Sequence, residues 1–423
     1  MPSGGGLLQL VAQGKQDIYL TGNPQITFFK LVYRRHTNFA IQSMPMYFDG
    51  TPQFGQRITC LVPRRGDLLG QVYLQIDLPQ IVDQTTKEPI SYVNSIGHAL
   101  IEEISVEIGE QEIDRQTGEW MEVWTQFSTP ASQREALNNM IGRVDGIIPP
   151  DLKTANSLII PLHFWFCNNP GNYLPLIALQ YHPVRINIKL KTLQQVFYTA
   201  DLGDLNCQTQ AQTATPGAGP SFLMWGDYVF LDTDESRRFV SNSHEYLIDQ
   251  VQYTPVLSFP GTGNSMSVKL EFNNPIRELI WYIQRDAMTT RHEYFNYTSI
   301  SARDVTTASP ADLLTSAVIQ VDGQDRFDER DAKYFRLVQP YQHHTTTPVN
   351  SFIYCYSFAI KPEEAQPSGS INASRLNSFV LNMTLNNPVA PQPERGPCHT
   401  RVYALNHNVL RVIDGFGGLL FRV

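Results

Sequence analysis

One pattern occurs twice in this chain of 423 residues, and the repetition limits the possible folds more than any other feature. Residues 100–124 and residues 314–338 follow the same plan. An alternating apolar strand reaches a glycine turn, at Gly109 in one stretch and Gly323 in the other. A short amphipathic segment with aromatic side chains completes each copy. Self-similarity of this kind indicates a structural unit that is present twice.

Short apolar segments separated by turn residues account for the rest of both copies. In residues 68–78, Val72, Leu74 and Ile76 alternate with polar neighbours, and this period of two directs one face of a strand towards a core. Besides two strands in each repeated stretch, strands are expected at 38–48, 56–62, 68–78, 158–166, 184–190 and 222–231 in the first copy, and at 244–254, 267–272, 277–284, 351–360, 379–385 and 401–413 in the second.

Eight strands per copy without alternating helices predict an all-β fold of two tandem eight-stranded antiparallel jelly-roll sandwiches, a double jelly roll with short helices in loops. One such helix is expected at 132–144. Segment 207–220 has the composition of a linker, but the first copy still lacks its last strand there, so it is predicted to be a surface loop of that copy. The predicted domains are an N-terminal arm at 1–26, a first jelly roll at 27–236 and a second at 237–423.

The composition excludes some functions. A net charge of −8 argues against the chain as a whole wrapping nucleic acid, because neutralising phosphates needs a basic surface. Charged residues make up only 17% of the chain, so much of the surface is expected to be uncharged or covered by neighbouring subunits. The sequence shows neither a secretory signal nor a membrane span. The cysteines form neither a disulfide framework nor a zinc motif and are interpreted as buried thiols in a reducing compartment: Cys60, Cys167, Cys207, Cys355 and Cys398.

No motif of a catalytic, cofactor or metal site is found in the sequence. The glycine-rich loops that bind phosphates or dinucleotides and the nucleophile elbow are missing. A cupin-like metalloenzyme, one alternative for this fold, would need a His-x-His pair on a strand. The nearest arrangements are His343-His344, which point to opposite faces of an extended chain, and Cys398-His399. We therefore predict no catalytic residue, no cofactor and no metal.

The acidic pairs and the tryptophans are weaker candidates for a functional site. The acidic pairs Glu102-Glu103 and Glu363-Glu364 are interpreted as solvated edges, because neighbours on a strand face opposite ways. A carbohydrate-binding sandwich is the second alternative, and its stacking surfaces would be tryptophans. Most of these lie in strand patterns that favour the core: Trp120, Trp124, Trp165, Trp225 and Trp281.

A cluster of basic residues lies near the N-terminus. Lys15, Lys30, Arg34 and Arg35 are opposed only by Asp17. This basic cluster indicates an anionic partner, such as a lipid surface, or charges that are simply solvated. Separately, the N-x-[ST] pattern marks three candidate glycosylation sites: Asn296, Asn372 and Asn382.

Residues 5–40, GGLLQLVAQGKQDIYLTGNPQITFFKLVYRRHTNFA, resemble the major capsid proteins of the nucleocytoplasmic large double-stranded DNA viruses, which include phycodnaviruses, iridoviruses and mimivirus-like viruses. The resemblance continues in family order through nearly the whole chain, at 174–190, 227–239, 244–252, 323–342, 356–377 and 406–421.

The resemblance implies a double jelly roll that forms homotrimers. Each homotrimer would be a pseudo-hexagonal capsomer, and the capsomers would tile an icosahedral shell over an inner membrane. The implied partners are neighbouring capsomers, minor capsid and penton proteins, and the inner viral membrane through the N-terminal arm; no direct binding of the genome is expected. The basic cluster would lie on the inner face, and segments 79–97, 118–156 and 285–312 would be outer or intersubunit loops. The implied location is the virion, after synthesis and assembly in the host cytoplasm.

Overall fold

The computed structural model describes residues 4–87, 89–144, 157–198, 210–215, 219–259, 264–301, 310–386 and 396–421. Packing divides the chain into two units, Met1–Asn38 and Phe39–Val423. The smaller unit contains helices Gly4–Val11 and Ile18–Thr21, neither of which buries a residue. Among the described residues, no helix has the length and apolar character needed to cross a membrane.

The first half of the larger unit folds into two antiparallel sheets of four strands. The strands are β1 (Phe39–Met46), β2 (Arg57–Leu61), β3 (Leu68–Asp77), β4 (Ile101–Ile108), β5 (Gln111–Thr117), β6 (Ser157–Pro161), β7 (Val184–Leu190) and β8 (Ser221–Leu231). One sheet has the order β1-β8-β3-β6 and the other β2-β7-β4-β5. Two short ladders accompany them: Ser91–Tyr92 pairs with Phe197–Tyr198, and Ile81–Asp83 pairs with Ala211–Thr213.

The second half repeats this arrangement. Its strands are β9 (His244–Tyr253), β10 (Ser265–Lys269), β11 (Pro275–Arg285), β12 (Leu314–Val321), β13 (Gln324–Asp325), β14 (Arg330–Asp331), β15 (Tyr354–Ser357), β16 (Phe379–Leu385) and β17 (Cys398–Ile413). The sheets have the orders β9-β17-β11-β15 and β10-β16-β12-β13, and β14 also pairs with β12. Three short strands extend the first of these sheets: Leu257–Phe259 and Phe416–Leu419 pair with β17, and Ile371–Asn372 pairs with β11.

In each half the first, eighth, third and sixth strands share one sheet, and the second, seventh, fourth and fifth share the other, with β13 and β14 as two pieces of the fifth strand. This is the strand order of a jelly roll, so the predicted double jelly roll is confirmed. The predicted strand at 379–385 has the observed bounds, whereas the one at 351–360 shortens to Tyr354–Ser357. Within the predicted loop 207–220, Ala211–Thr213 pairs with the first jelly roll; residues 207–209 and 216–218 lie outside the described residues.

Helices occupy the loops between strands. Those of four residues or more in the larger unit are Ile96–Ala99, Gly118–Ser128, Ala131–Ile141, Trp165–Asn168, Thr233–Ser241, Asp286–Thr290, the π-helical turn Tyr334–Val338 and Gln339–His343. Shorter 3₁₀ turns lie at Pro170–Asn172, Leu193–Gln195 and Ala373–Arg375. The helix predicted at 132–144 corresponds to Ala131–Ile141 and ends at Gly142, which adopts a left-handed φ of 70°. A helix thus follows the fifth strand in both jelly rolls, as the repeat indicated.

Each sandwich encloses a core, and the core cluster of the first sandwich also includes Ile248 of β9 and Leu410 and Val412 of β17. In the first, Leu74 and Ile76 from β3 belong to the same buried cluster as Ile186 and Ile188 from β7. In the second, the cluster includes Trp281 from β11 together with residues of β12 and β16. Where two sheets face each other, every second side chain of a strand is buried between them, and this burial stabilises the short strands.

A third buried cluster joins the two jelly rolls. The helix Gly118–Ser128, here called the junction helix, contributes Trp120, Val123, Trp124 and Phe127. These side chains pack on the sheet β9-β17-β11-β15 through a set that includes Ile280, Tyr282, Cys355, Tyr403 and Leu405. The sheet is therefore covered on both faces, and nine consecutive residues of β11 are buried, whereas β3 keeps the alternation of a half-exposed strand.

This packing corrects two expectations. Segment 118–156 was expected to be an outer or intersubunit loop, but the junction helix at its start is buried within the chain because its apolar face covers a sheet. Most of the five tryptophans were expected in strands. Trp165, expected in the strand 158–166, lies instead on the helix Trp165–Asn168, and Trp120 and Trp124, expected in an amphipathic segment, lie on the junction helix. All five except Trp225 are buried, so their rings are occupied by the protein itself.

We expect Trp120→Ala to lower the free energy of unfolding by about 3–5 kcal/mol, because the side chain is fully buried between Trp124 and Tyr403. Chemical denaturation followed by circular dichroism measures the loss. Trp225→Ala, at a half-buried position on β8, is the matched control and should cost clearly less. Equal losses in the two variants would contradict the role of the junction helix.

Candidate assembly surfaces

The junction helix begins at a position that its neighbours determine. The Thr117 side chain accepts a hydrogen bond from the Trp120 amide at 3.2 Å and shares another with the Tyr403 hydroxyl at 2.8 Å. A Cβ atom on Gly118 would lie 2.2 Å from the His98 carbonyl oxygen, so only glycine fits there. The same threonine therefore caps the helix and fastens its start to the second jelly roll.

Glu119 attaches the helix to the second jelly roll by charge. Its Oε2 accepts hydrogen bonds from Arg401 at 2.5 Å, from the Tyr403 hydroxyl at 3.2 Å and from the Tyr282 hydroxyl at 3.3 Å. The Arg401 guanidinium also lies 5.3 Å from the centre of the Tyr253 ring. A carboxylate with three donors is well compensated for its removal from water.

Glu122, one turn further along, attaches the same helix to the first jelly roll. Its oxygens lie 2.8 Å from Nδ1 of His98 and 2.8 Å from Nη1 of Arg143. Burial alone would raise the pKa of Glu122, but Arg143, His98 and Gln126 outweigh it and lower that pKa to about 2. Glu122 is therefore ionised although its side chain is only 1% exposed.

A second polar contact crosses between the jelly rolls beside the helix. Asp114 on β5 accepts a hydrogen bond from the Val251 amide of β9 at 3.0 Å, and the Gln250 side chain donates to the Ile113 carbonyl. Burial raises the pKa of Asp114 to about 7, against the opposing effect of its hydrogen bonds. Together with the helix, these bonds fix the relative position of the two sandwiches.

Two cavities lie along this junction. One, of about 590 Å³, is lined by residues 111–115 of β5 and 250–253 of β9. The other, of about 760 Å³, is lined in part by Glu122, Arg134 and Tyr297. Both are bordered by residues from the two jelly rolls, and their lining mixes polar and apolar side chains.

The adjacent histidines separate as expected, but one of them enters an unexpected polar cluster. His343 is hydrogen-bonded through Nδ1 to the Ile360 carbonyl at 2.9 Å. The His344 side chain is fully buried, with Nε2 against Glu278 and Nδ1 2.8 Å from Oε1 of Glu363. Burial would lower the pKa of His344, but Glu278 and its other partners raise it well above the ordinary value.

Glu363 therefore differs from the solvated edge residue that the sequence suggested. Its side chain is only 18% exposed, because it accepts hydrogen bonds from His344 and from the Thr345 amide and hydroxyl. Glu102 matches the expectation better, since its side chain is 46% exposed. Of the cysteines, Cys60, Cys167, Cys355 and Cys398 are buried and form no disulfide with one another, and Cys207 lies outside the described residues.

The basic cluster lies in the N-terminal unit. Lys15, Lys30, Arg34 and Arg35 are all exposed there. The same unit exposes 13 large apolar side chains: Leu7, Leu8, Leu10, Val11, Ile18, Tyr19, Leu20, Ile26, Phe28, Phe29, Leu31, Val32 and Tyr33. Basic and apolar side chains are therefore interspersed along this unit, in which none of the described residues, 4–38, is buried.

The candidate glycosylation sites differ in exposure. Asn372 is exposed, and its Oδ1 accepts a hydrogen bond from the Ser374 amide at 3.1 Å. Asn382 is half-buried on β16 and accepts from the Ser267 hydroxyl at 2.6 Å. Asn296 is also half-buried, and its Nδ2 donates to Glu293 at 2.7 Å. Asn372 has the most open side-chain amide of the three.

Comparisons with known proteins agree with this architecture. The family described as "Major capsid protein N-terminus" matches residues 27–232, and the family "Large eukaryotic DNA virus major capsid protein" matches residues 235–418. The major capsid proteins of Pyramimonas orientalis virus and Phaeocystis pouchetii virus are 39% and 37% identical, with 99% of each chain covered in both cases.

A solved structure extends the likeness to three dimensions. The crystal structure of PBCV-1 VP54, fitted into a reconstruction of the virophage Sputnik, has a TM-score of 0.78 at 31% identity and covers 94% of this chain and 100% of that one. The chain belongs to the major capsid proteins of the large eukaryotic DNA viruses. Membership of a structural capsid family favours a structural role over the carbohydrate-binding and metalloenzyme alternatives.

The depressed pKa of Glu122 predicts how stability changes with pH. Because the folded-state pKa of about 2 lies below the ordinary 4.5, the ionised group stabilises the fold above about pH 4.5, and this contribution is lost as the pH falls towards 2. We expect Glu122→Gln to lower the free energy of unfolding by about 3 kcal/mol at neutral pH, since one pKa unit corresponds to about 1.4 kcal/mol.

The measurement is denaturant unfolding at a series of pH values between neutrality and pH 3. The difference between wild type and Glu122→Gln should narrow below about pH 4.5. Glu102→Gln, at a largely exposed carboxylate paired with Lys189, is the control and should change stability little at any pH. A deficit of Glu122→Gln that is independent of pH would refute the ion-pair explanation.

Proposed function

We propose that this chain is a major capsid protein that forms homotrimers, and that these pseudo-hexagonal capsomers tile an icosahedral shell over an inner membrane. The observation that carries the proposal is the junction between the jelly rolls. It uses a helix of the first jelly roll and a sheet face of the second. The equivalent helix of the second jelly roll and the equivalent face of the first have no such partner among the described residues of the chain.

The unpartnered helix is residues 334–343, which follows the fifth strand of the second jelly roll as the junction helix follows that of the first. Phe335 is buried in its own core. Val338 and Tyr341, by contrast, are 40% and 82% exposed. An aromatic side chain this exposed on a helix is suited to a protein interface.

The unpartnered sheet face is the outer surface of β1-β8-β3-β6. Ile41 on β1 and Ile159 on β6 are 55% and 43% exposed, and Tyr73 and Trp225, which pair in register on β3 and β8, are half-buried. In the second jelly roll the corresponding face is covered by the junction helix. A sheet with apolar side chains on its open face favours a partner over water.

Repeating the internal contact between chains would satisfy both surfaces. Helix 334–343 of one chain would cover the first jelly roll of the next chain, as the junction helix covers the second jelly roll of its own. Head-to-tail contacts form a closed ring when the rotation closes. Three chains supply six jelly rolls, in which residues 27–236 of one chain alternate with residues 237–423 around the ring. Three contacts within chains and three between chains then give six similar contacts. Such a trimer has a hexagonal outline and fits a six-fold lattice site beside neighbouring capsomers.

The arm at residues 1–26 and the adjoining basic residues are proposed to face the interior of the shell. Exposed apolar side chains such as Phe28 and Phe29 would enter a lipid or protein surface, while Arg34 and Arg35 would bind anionic groups. The partners on this side would be the inner membrane and minor capsid proteins, with penton proteins at the vertices. Assembly would take place in the host cytoplasm.

The trimer is tested by substitutions on its two proposed surfaces. Ile159→Asp or Tyr341→Asp would place a charge in the contact, so each should convert particles of three chain masses into monomers. Light scattering coupled to gel filtration measures the mass. Leu61→Asp, at an apolar residue 48% exposed on β2 of the other sheet, is the matched control and should leave the trimer intact. A monomeric wild type, or variants that remain trimeric, would overturn the proposal.

The arm is tested by charge reversal. Arg34→Glu combined with Arg35→Glu should weaken binding to vesicles of anionic lipid by roughly tenfold or more, because each basic residue near such a surface contributes about 1 kcal/mol. Trimers should be unaffected. The control is Arg237→Glu with Arg238→Glu, a neighbouring pair exposed on the helix Thr233–Ser241. Equal vesicle binding by both double variants would refute the proposed role of the basic cluster.

A further inference from the structure

Three side chains able to bind a metal ion converge on the face of the second jelly roll that the junction helix covers. Glu278 on β11, Cys355 on β15 and His344, directly after helix 334–343, each present one ligand atom, and these atoms lie within 4.8 Å of one another. The side chains of Glu278 and His344 have no exposed surface, and Cys355 is 0% exposed. The three residues therefore meet in a closed polar site within an apolar region.

The strand register explains why two of them share a face. Glu278 lies opposite Ser357, and Cys355 lies opposite Ile280, in the antiparallel pair of β11 and β15. Residues two apart on a strand face the same side, so Glu278 and Cys355 are diagonal neighbours. That side is the one covered by the junction helix, whose Phe127 ring lies 4.7 Å from the His344 ring.

Glu363 orients the histidine as a metal ligand would require. Its Oε1 lies 2.8 Å from Nδ1 of His344, which leaves Nε2 directed towards Glu278. Glu363 is itself held by the amide and hydroxyl of Thr345. A ligating histidine typically donates its second ring N–H to a carboxylate, which fixes the tautomer and the ring plane.

A buried oxygen in the cluster lacks a partner. Glu278 contacts His344 through Oε1, whereas its Oε2 makes no hydrogen bond of satisfactory geometry among the described residues. The Cys355 thiol donates a weak hydrogen bond, at 3.8 Å, to the Phe335 carbonyl, and it also interacts with the side chains of His344 and Glu278. An ion pair between His344 and the two glutamates accounts for the imidazole, but it leaves Oε2 of Glu278 without a hydrogen bond of satisfactory geometry among the described residues. An unpaired buried oxygen of a carboxylate is costly.

We propose that Glu278, His344 and Cys355 bind a divalent transition-metal ion with the ligand preference of zinc. A set of one carboxylate, one imidazole and one thiolate suits Zn²⁺ and does not suit Mg²⁺ or Ca²⁺, which bind oxygen. Zinc bonds of about 2.0–2.3 Å in a tetrahedral site place ligand atoms about 3.3–3.7 Å apart. The three ligand atoms lie within 4.8 Å of one another, so the side chains would shift to that spacing, with Nε2 and Oε1 moving apart, and Oε2 or a water would complete the coordination.

The ion would join three segments that are distant in the sequence. Strands β11 and β15 would be tied to the end of helix 334–343, directly below the junction helix. Such a site has a structural role: it is closed to solvent, and Trp124 and Phe127 cover His344. Because the ligands have no exposed surface, the ion would be taken up as the chain folds.

The test is the metal content of tag-free, full-length protein produced in medium supplemented with Zn²⁺ or, in parallel, with Co²⁺. After gel filtration without chelator, we expect one ion per chain by elemental analysis. The Co²⁺ form should show the thiolate charge-transfer absorption of a Co–S bond. X-ray absorption of the zinc form should show one sulfur at about 2.3 Å and nitrogen or oxygen at about 2.0–2.2 Å.

Matched variants separate this site from adventitious binding. Cys355→Ser and His344→Gln should retain less than a tenth of the ion, whereas Cys167→Ser, at another buried thiol, and His343→Gln should retain it fully. Glu363→Gln should weaken affinity by about 10–100-fold, as expected for a residue that orients a ligand.

Wild-type protein with less than a tenth of an ion per chain after supplementation would overturn the proposal, and so would bound Co²⁺ without the thiolate absorption. These two measurements use only the wild type, so the proposal stays testable if a cluster variant fails to fold. Equal metal content in Cys355→Ser and Cys167→Ser would identify the ion as adventitious and would also overturn it.

Discussion

The packing of one helix on one sheet holds the larger unit together as a single body. The junction helix places two tryptophans, a valine and a phenylalanine on the sheet β9-β17-β11-β15, which would otherwise expose its outer face. Each jelly roll encloses a core, and the core cluster of the first also includes Ile248, Leu410 and Val412 of the second. What the helix adds is a fixed relation between the two, and surfaces that depend on both jelly rolls can be built only when that relation is fixed.

Polar groups on the helix give this packing its specificity. Glu119 and Glu122 lie about one turn apart and bind groups in different jelly rolls, Arg401 on one side and Arg143 on the other. Apolar packing alone tolerates small displacements, because it is not directional. A displaced helix would leave at least one buried carboxylate without its arginine, which is far more costly. The two ion pairs therefore favour a single position of the helix on the sheet.

The sequence predicted the sandwiches well, because alternation of period two is visible wherever one face of a strand is buried. β16, with its alternating FVLNMTL, was predicted with its observed bounds. The junction helix was recognised only as an amphipathic segment, since its partner lies more than 150 residues away in the chain. One signal of that partner was present: five consecutive apolar residues, LIWYI at 279–283, in place of alternation. A continuous apolar run in a strand indicates that both faces are buried.

The polar cluster around His344 could not be predicted from the sequence for a related reason. Metal motifs are recognised by close spacing of ligands, whereas Glu278 is 66 residues from His344. Strand pairing and a turn after a helix bring these side chains together, and neither leaves a short pattern. The basic cluster, by contrast, could be recognised in the sequence, because its members are near one another in the chain, and all of them are exposed. Short sequence patterns therefore predicted the exposed basic cluster. They did not predict the buried polar cluster, because its residues are distant in the sequence and meet only through the fold.

The direction of synthesis gives the buried run in β11 a further significance. Residues 279–283 combine high strand propensity with no charge, and such a segment tends to aggregate when it is left uncovered in a partly folded chain. The ribosome releases the junction helix about 150 residues earlier, and N-terminal domains generally fold first. The junction helix has thus already been synthesised when β11 emerges from the ribosome. In a chain with the two halves in reverse order, β11 would stay uncovered until the junction helix had been synthesised.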